Sequence, residues 1–495
     1  PKHEPRSLAE QRATWHDQAL QVLGGPECLD RMLADVAAGC DTGAAAATAV
    51  ADRSATLPGR VDFARLAAAT VAATEQSRAL WSRHNLAAEA ARQLRDRWRL
   101  APEQAVAAIE QVAALAAGDE HSIPISSEPN IDVNVAEPAA LRRSDGSSAY
   151  RIAGGQRYTS PAILAAETRI VAAAGAGGAR HITTTDVNLA ALEWSANHDG
   201  AVLNTSQAGL VTAVASSDRR LMLALAPAGT GKTTAMGVLA RAWQSTGGTI
   251  VGLAPQASAA AELGAAVAGT ADTLDKLVHD LRRGRPDDLA HWDALIGPHT
   301  LVIVDEAGLA STPNLDTALR YPVTRGGRML LVGDDRQRTA AGAGGVLRDI
   351  ESAHGALSLT EVMRFTDPTE AHASLALRAG DPAAAAYYAD RDRLHPVAAD
   401  HAADQVFQAW SADVVDGAES IMIAPTLEMV SELNARARAA RLASNSGESS
   451  VRAGGAELTL PNGESVSAGD TIITKRNART LSLGGNDFVR NNQRW

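Results

Sequence analysis

Apolar residues recur at three- and four-residue spacing from Ser7 to about Ala117, with few turn signals after Gly59, and this period predicts helices. Within that stretch Trp81, Leu86, Ala90 and Leu94 share one face, interleaved with Arg83, Arg92, Arg95, Arg97 and Arg99. The pattern favours a solvated face over a core stripe; a helix facing nucleic acid is the alternative. Residues 118–136, rich in Ser, Pro, Asp, Glu and Asn, read as a linker or exposed loop. Asp145-Gly146 between short β-like runs predicts a hairpin. Ser160-Pro161 predicts an N-cap followed by Pro at the first helical position, opening a helix through about Ala174 before the turn-rich Gly175–Gly178.

From there to about Ile350 short apolar runs alternate with helical segments. Leu221–Leu225, Ile250–Ala254, Leu301–Val304 and Met329–Val332 read as buried strands. Such alternation implies a parallel sheet covered on both faces, with ligands at the carboxyl ends of the strands. A further strand at Ile421–Ala424, before an amphipathic helix from about Leu427 to Leu442, predicts the start of a second αβ unit. The fold class is therefore α/β, preceded by a mostly helical region. No repeat of fixed period appears.

At 495 residues the chain is too long for one core. Hydrophobic residues make up 45% of it, which suits globular folding, and aromatics only 3%. Its Ala and Gly richness suits helices with small contact residues, and equally a GC-rich genome. A net charge of −11 argues against a general polyanion-binding coat, though a local basic groove stays open. Cys28 and Cys40 are too few for a disulfide framework, so a reducing compartment is expected. No apolar run approaches a membrane span, and residues 1–30 carry no signal-peptide core, so the expectation is a cytoplasmic chain without membrane insertion. Because it begins without Met and stops at Trp495, a fragment is expected.

The chemistry starts at Leu221–Thr234, where an apolar strand runs into the loop Ala226, Pro227, Ala228, Gly229, Thr230, Gly231, Lys232, Thr233 and Thr234. Gly229 and Gly231 let the backbone fold tightly and turn several N–H groups toward one point. A helix opening near Lys232 adds its N-terminal dipole. Lys232 can reach the β- and γ-phosphates, and the Thr233 hydroxyl can ligate Mg²⁺, so the loop reads as a cradle for ATP. Its first pattern position is Ala226 rather than Gly. An ordinary Gly-rich turn would lack the strand that leads into this one.

Leu301–Gly308 ends a buried strand in two carboxylates. Asp305 can hold Mg²⁺ through its water shell, and Glu306 can orient and deprotonate an attacking water. Gly333–Gln337 again follows a buried strand, and Gln337 near a γ-phosphate can sense ATP against ADP. In Ser358–Phe365, Arg364 can stabilise charge on a transferring phosphoryl group if donated across a domain cleft. Upstream, Gln207 in Leu203–Gln207 offers a donor and an acceptor that could read an adenine edge.

In this order Gln207, Lys232, Asp305-Glu306, Gln337 and Arg364 resemble the superfamily-1 DNA helicases, in their RecD-like branch. Gly252–Leu263 resembles the family's strand-loop-helix that contacts single-stranded DNA, and Thr270–Leu277 its next DNA-contact segment. A narrower resemblance, over roughly Leu141 to Trp495, is to the helicase part of conjugative relaxases of the TraA/TrwC kind. It is carried by LRRSDGSS (Leu141–Ser148), RYTSPAILAAE (Arg157–Glu167), the phosphate loop, GLAPQA and GDTIITKRN (Gly469–Asn477). The resemblance implies a P-loop ATPase that uses ATP and Mg²⁺ to translocate 5′ to 3′ on single-stranded DNA and unwind duplex during plasmid transfer. It implies a helical region over residues 1–120, a linker, hairpin and helical region over 121–200, a RecA-like ATPase domain over 201–355, and an incomplete second RecA-like domain with the start of a β insertion over 356–495. Single-stranded DNA is the implied partner, with other conjugation proteins besides, and a monomer is expected.

Two departures from the family matter. Tyr150, Tyr158, Tyr321, Tyr387 and Tyr388 are present, but no His pairing accompanies them to hold a nicking metal, so no DNA nicking is expected. The family's closing Thr, His and Gln-Gly motif and its second arginine finger do not precede Trp495. The expectation is a chain that binds ATP-Mg²⁺, turns it over slowly and unwinds little. A RecD-like repair helicase and a nucleotide-dependent DNA-binding module with vestigial hydrolysis are the alternatives. Lys276, Arg282, Arg283 and Arg285, and Lys475, Arg476 and Arg479, read either as phosphate contacts or as solvated surface.

Overall fold

The computed structural model describes residues 62–97, 101–125, 155–334, 336, 345–444, 457–460, 463–484, 487–491 and 493–495. They form two compact units, one running to Gly380 and taking in Arg476–Asn491, the other built from Asp381–Lys475 with the C-terminal residues.

The larger unit opens with helices α1 (Phe63–Glu75), α2 (Arg83–Arg97) and α3 (Pro102–Ala116). Asp62 caps α1 by accepting the Arg65 N–H, and Pro102 starts α3 where its missing N–H costs nothing. The apolar stripe is core: Trp81, Leu86, Ala90 and Leu94 are all buried. Arg83, Arg92 and Arg95 lie on the exposed side in ion pairs with Glu110, Glu89 and Asp96. The Arg97 side chain and Arg99 fall outside the described residues, as does the hairpin expected at Asp145-Gly146.

Part of the expected linker is instead a strand. Here β1 (Ile123–Ile125) pairs antiparallel with β2 (Arg157–Thr159). Ser122 stands beside it, its Oγ accepting from Trp81 Nε1 and donating to the Ala116 carbonyl. Polar composition hid the strand because only three residues pair.

Helix α4 (Pro161–Gly175) starts where the Ser160-Pro161 signal puts it, with the Ser160 hydroxyl accepting the Ile163 N–H at 3.1 Å. Ile163 packs in the core of the helical region, while Ile170 and Ala174 pack with Leu221 and Leu223 in the core of the sheet that follows. One helix thus joins the two cores. Arg169 fastens it further, donating to both oxygens of Asp316 at 3.0 and 2.7 Å.

After α5 (Thr184–Ala196) and α6 (Thr205–Ser216) come six strands: β3 (Leu221–Leu225), β4 (Thr249–Ala254), β5 (Thr270–Thr273), β6 (Thr300–Val304), β7 (Arg328–Gly333) and β8 (Leu357–Ser358). All pair in parallel, in the order β5-β4-β6-β7-β3-β8. The four expected strands are present with ends within a residue of those read from the sequence. The edges β5 and β8 were missed because one is polar and the other has two residues. With β8 the sheet runs past the boundary expected at residue 355.

Successive strand residues face opposite cores, as the pleat requires. Leu221, Leu223, Val302, Val304, Met329 and Leu331 meet residues of α4, of α9 (Leu274–Arg283) and of α11 (Thr312–Thr324). Ala224, Leu301, Ile303, Leu330 and Val332 meet α5, α6, α7 (Lys232–Ser245) and α8 (Ala257–Val267). Helix α10 (Pro286–Leu295) lies between α9 and β6 in the chain, and α12 (Val346–His354) between β7 and β8. After β8, α13 (Pro368–Ala379) leads to Gly380.

The smaller unit holds α14 (Ala384–Ala389), α15 (Ala402–Val415), α16 (Leu427–Ser444) and a two-stranded antiparallel pair, β9 (Leu458–Thr459) and β10 (Ser465–Val466). The strand expected at Ile421–Ala424 does not form. Its backbone pairs with no described strand, and Ile421 and Ile423 are 78% and 80% exposed. An apolar run becomes a parallel strand only where neighbouring strands take its N–H and C=O groups. The amphipathic helix after it is present as α16.

Asp470 ties α16 to the residues after β10. It meets Arg438 at 3.1 Å and Arg441 at 2.6 Å and accepts the Ser467 N–H. Burial would raise its pKa, but the Ser467 N–H and the two arginines outweigh it and hold the carboxyl down at about 2. A depressed carboxylate pKa gives stability that is present above the unfolded value of about 3.9 and is lost as pH falls through the folded value. Protection of the Ser467 amide, relative to its intrinsic exchange rate at each pH, should therefore fall between about pH 4 and pH 2, and Asp470→Asn should abolish that pH dependence of protection.

Candidate nucleotide site

Three loops meet at the carboxyl ends of β3, β6 and β7. The first is the phosphate loop. Gly229 and Gly231 take left-handed φ values of 82° and 71°, which a side chain would strain. Space forbids one as well: a Cβ on Gly231 would run into Gln207 Nε2, and one on Gly229 would come within 2.8 Å of Arg364 Cβ. Thr230 is fully buried behind the loop, its hydroxyl donating to the Pro227 carbonyl at 2.8 Å. Ala226 packs in the core at ordinary φ, so the pattern's first position has no need of Gly. Its N–H donates to the Gly333 carbonyl at 2.8 Å, tying the loop to the end of β7. Gly231 is the N-cap of α7, which turns that helix's N–H groups toward the site.

The second loop carries the two acids. Asp305 N–H donates to the Leu253 carbonyl at 2.8 Å, continuing the β4–β6 ladder, and the Asp305 carboxylate accepts the Glu306 N–H at 2.8 Å. Glu306 stands at φ 52°, a left-handed conformation that costs a non-Gly residue about 1 kcal/mol or more. Strain of this kind is kept where a side chain must be aimed. Lys232 Nζ lies 2.6 Å from Asp305 and 3.0 Å from Glu306. Burial alone would lower the ammonium's pKa; the two carboxylates override it and hold the pKa above the ordinary lysine value.

These groups border a cavity of about 340 Å³ lined by Ala226, Pro227, Ala228, Gly229, Gly231, Lys232, Thr233, Glu306, Gly333, Asp334 and Arg364. Thr234 sits on the first turn of α7 and Thr230 behind the loop, and neither lines it.

Two sequence-read residues stand differently from expectation. Arg364 reaches the loop from within the same compact unit, not across a cleft. Its segment is fixed by the Met363 N–H, which donates to the Gly229 carbonyl at 2.7 Å. Gln207 is buried and committed to backbone: Nε2 donates to the Thr230 and Gly231 carbonyls at 3.0 and 3.3 Å, and Oε1 accepts the Asn204 N–H at 3.1 Å. Its amide braces the phosphate loop where an adenine reader was expected. Gln337 lies outside the described residues.

Asp334 was missed. It lines the cavity from the third loop and is held by Arg378 of α13. The same logic that picked Asp305, an acid at the carboxyl end of a buried strand, applies to it. Of the basic residues weighed for phosphate contact, Lys276 is paired with Asp280 at 2.6 Å, and Arg282 donates to Gln76 at 2.7 Å and Asn314 at 3.0 Å. Arg283, Arg285, Lys475 and Arg476 are exposed. The Arg479 side chain falls outside the described residues.

A parallel sheet with a glycine cradle at one strand end and paired acids at another defines a RecA-like P-loop domain of the nucleotide-using class. Residues 202–399 match the family model described as AAA domain. The chain is similar to the conjugal transfer protein TraA of Rhizobium radiobacter, 27% identical over 267 residues, which is 53% of this chain and 23% of that protein. It is similar also to the ATP-dependent RecD2 DNA helicase of Deinococcus radiodurans, 33% identical over 173 residues, 34% of this chain and 24% of that protein. A probable conjugal transfer protein TraA of Sinorhizobium fredii is 26% identical over 241 residues, 48% of this chain and 21% of its own length. The chain spans less than a quarter of the length of these curated relatives. Over part of its length the chain is thus similar to proteins of both the TraA and the RecD kind. Among the described residues no helix is long and apolar enough to cross a membrane.

Proposed function

We propose that this chain binds ATP with Mg²⁺ in the cavity between β3, β6 and β7 and hydrolyses it slowly, as the motor module of a TraA-like relaxase acting on single-stranded DNA. What supports the reading most is the convergence of Lys232, Asp305, Glu306 and Arg364 on a loop whose two left-handed glycines admit no side chain. The residues fit the metal: the Thr233 hydroxyl and the Asp305 carboxylate would hold Mg²⁺, which when bound offsets charge on the β- and γ-phosphate oxygens.

The backbone N–H groups at the start of α7 bind the phosphates. Lys232 exchanges its carboxylate partners for the β- and γ-phosphates, which leaves Glu306 to orient a water and take its proton as the water attacks the γ-phosphorus in line and the bond to the β,γ-bridging oxygen breaks, releasing ADP. Arg364, braced against Gly229, meets charge on the transferring phosphoryl group. Turnover requires the Lys232 ion pairs to break first, which favours slow basal hydrolysis. For DNA, the support is the similarity to relatives named as conjugal transfer proteins and a DNA helicase. The segments resembling DNA contacts also follow β4 and β5 on the sheet edge that shares the site's carboxyl ends.

The test is phosphate release and oligonucleotide binding by the purified chain. Slow release with MgATP, and single-strand binding that weakens steeply with salt, are expected. A folded chain that releases no phosphate and binds no single strand would overturn the proposal.

A further inference from the structure

The third loop of the site is held from outside the sheet. Asp334, only 8% exposed, receives Arg378 from the last turn of α13: Nε lies 3.1 and 3.3 Å from its two oxygens, and a terminal guanidinium nitrogen meets Oδ1. The same Oδ1 accepts the Arg336 N–H at 3.0 Å, so one carboxylate holds both the helix and the Arg336 backbone. Asp334 follows directly on β7, the strand between β3 and β6, and the Gly333 carbonyl before it accepts the Ala226 N–H. Asp334 therefore stands between the phosphate loop and the two acids.

At its other end, α13 stops at Gly380 in a left-handed cap of φ 81°, the last residue before the second compact unit begins at Asp381. Burying a carboxylate beside an anionic ligand site is costly, and an apolar side chain would fill the space with less penalty. The pair is worth that cost if it carries information.

We propose that Arg378 is a positioning residue: through Asp334 it sets that carboxylate and the Arg336 backbone against the nucleotide's phosphates and links their position to α13. The inference rests on the nucleotide reading above. A displacement of Asp334 when phosphate enters must either move α13 or break this ion pair.

The test uses the full chain with Arg378→Gln, Arg378→Lys, Asp334→Asn and the double variant Arg378→Gln/Asp334→Asn. Three quantities are read: exchange of the Arg336 amide, affinity for a fluorescent ATP analogue with Mg²⁺, and phosphate release. In Arg378→Gln the Arg336 amide should exchange about tenfold faster or more while β6 amides keep their protection. Affinity should change by less than about threefold and phosphate release fall by about tenfold. Asp334→Asn should reproduce the effect, the double variant should be no worse than either single, and Arg378→Lys should restore part of it. Unchanged Arg336 exchange and phosphate release in a folded Arg378→Gln protein that still binds nucleotide would overturn this inference alone. Loss of β6 protection together with affinity would also overturn it, marking a plain structural strut. A wild-type chain that binds no nucleotide would instead overturn the earlier reading and any response of Asp334 along with it.

Discussion

Glu306→Gln is expected to leave MgATP affinity within about threefold and to lower turnover by about a hundredfold or more, the contribution of a positioned general base. The amide keeps the size and hydrogen-bonding reach of the carboxylate but cannot accept a water's proton. Glu306 is not required for phosphate contact, because the cradle is made by the loop N–H groups and Lys232. Removing its charge also loosens Lys232, which keeps Asp305 at 2.6 Å but loses a partner at 3.0 Å, so any change in affinity should be toward tighter binding. Equilibrium binding of a fluorescent analogue and single-turnover hydrolysis of labelled ATP separate the two effects. Turnover equal to wild type would remove Glu306 from the chemistry.

Lys232→Ala should weaken ATP binding by about a hundredfold or more, which is about 2.8 kcal/mol at 1.4 kcal/mol per tenfold. Two terms act together. The ammonium proposed to meet the β- and γ-phosphates is gone, and Asp305 and Glu306 lose the cation they share and stand as neighbouring negative charges beside a polyanionic ligand. The same acids should lower the melting temperature modestly, since breaking a half-buried ion pair strands its partners. Melting should nevertheless remain cooperative, because the two apolar cores that hold the sheet are built without Lys232. Affinity unchanged in a folded Lys232→Ala protein would refute the cradle.

What was legible in the sequence was contiguous in the sequence. The cradle, the Asp305-Glu306 pair, the Ser160 cap and four core strands each declare themselves within a few residues, because backbone geometry and period are local properties. Most differences from the sequence reading concern partners supplied from a distance. Ile421–Ala424 has the composition of a buried strand and no described strand to pair with, and β8 joins the sheet on two residues that no periodicity can flag. The polar groups of the Gln207 amide suited a base edge equally well; only the fold shows them spent on Thr230, Gly231 and Asn204. Arg364 was expected to reach the loop across a cleft, and it is carried by the unit that also carries the loop. Arg378 and Asp334 lie on opposite sides of α12, and nothing in either neighbourhood names the other.

The central claim is that the loop at Ala226–Thr234 holds ATP through Lys232. Calorimetric titration of MgATP into the wild-type chain and into Lys232→Ala, at matched concentration and with folding checked in each, tests it most directly. The account predicts a single site per wild-type chain and no measurable heat of binding in the variant. A folded wild-type chain that takes up no MgATP, or a variant that binds it as tightly as wild type, would contradict it.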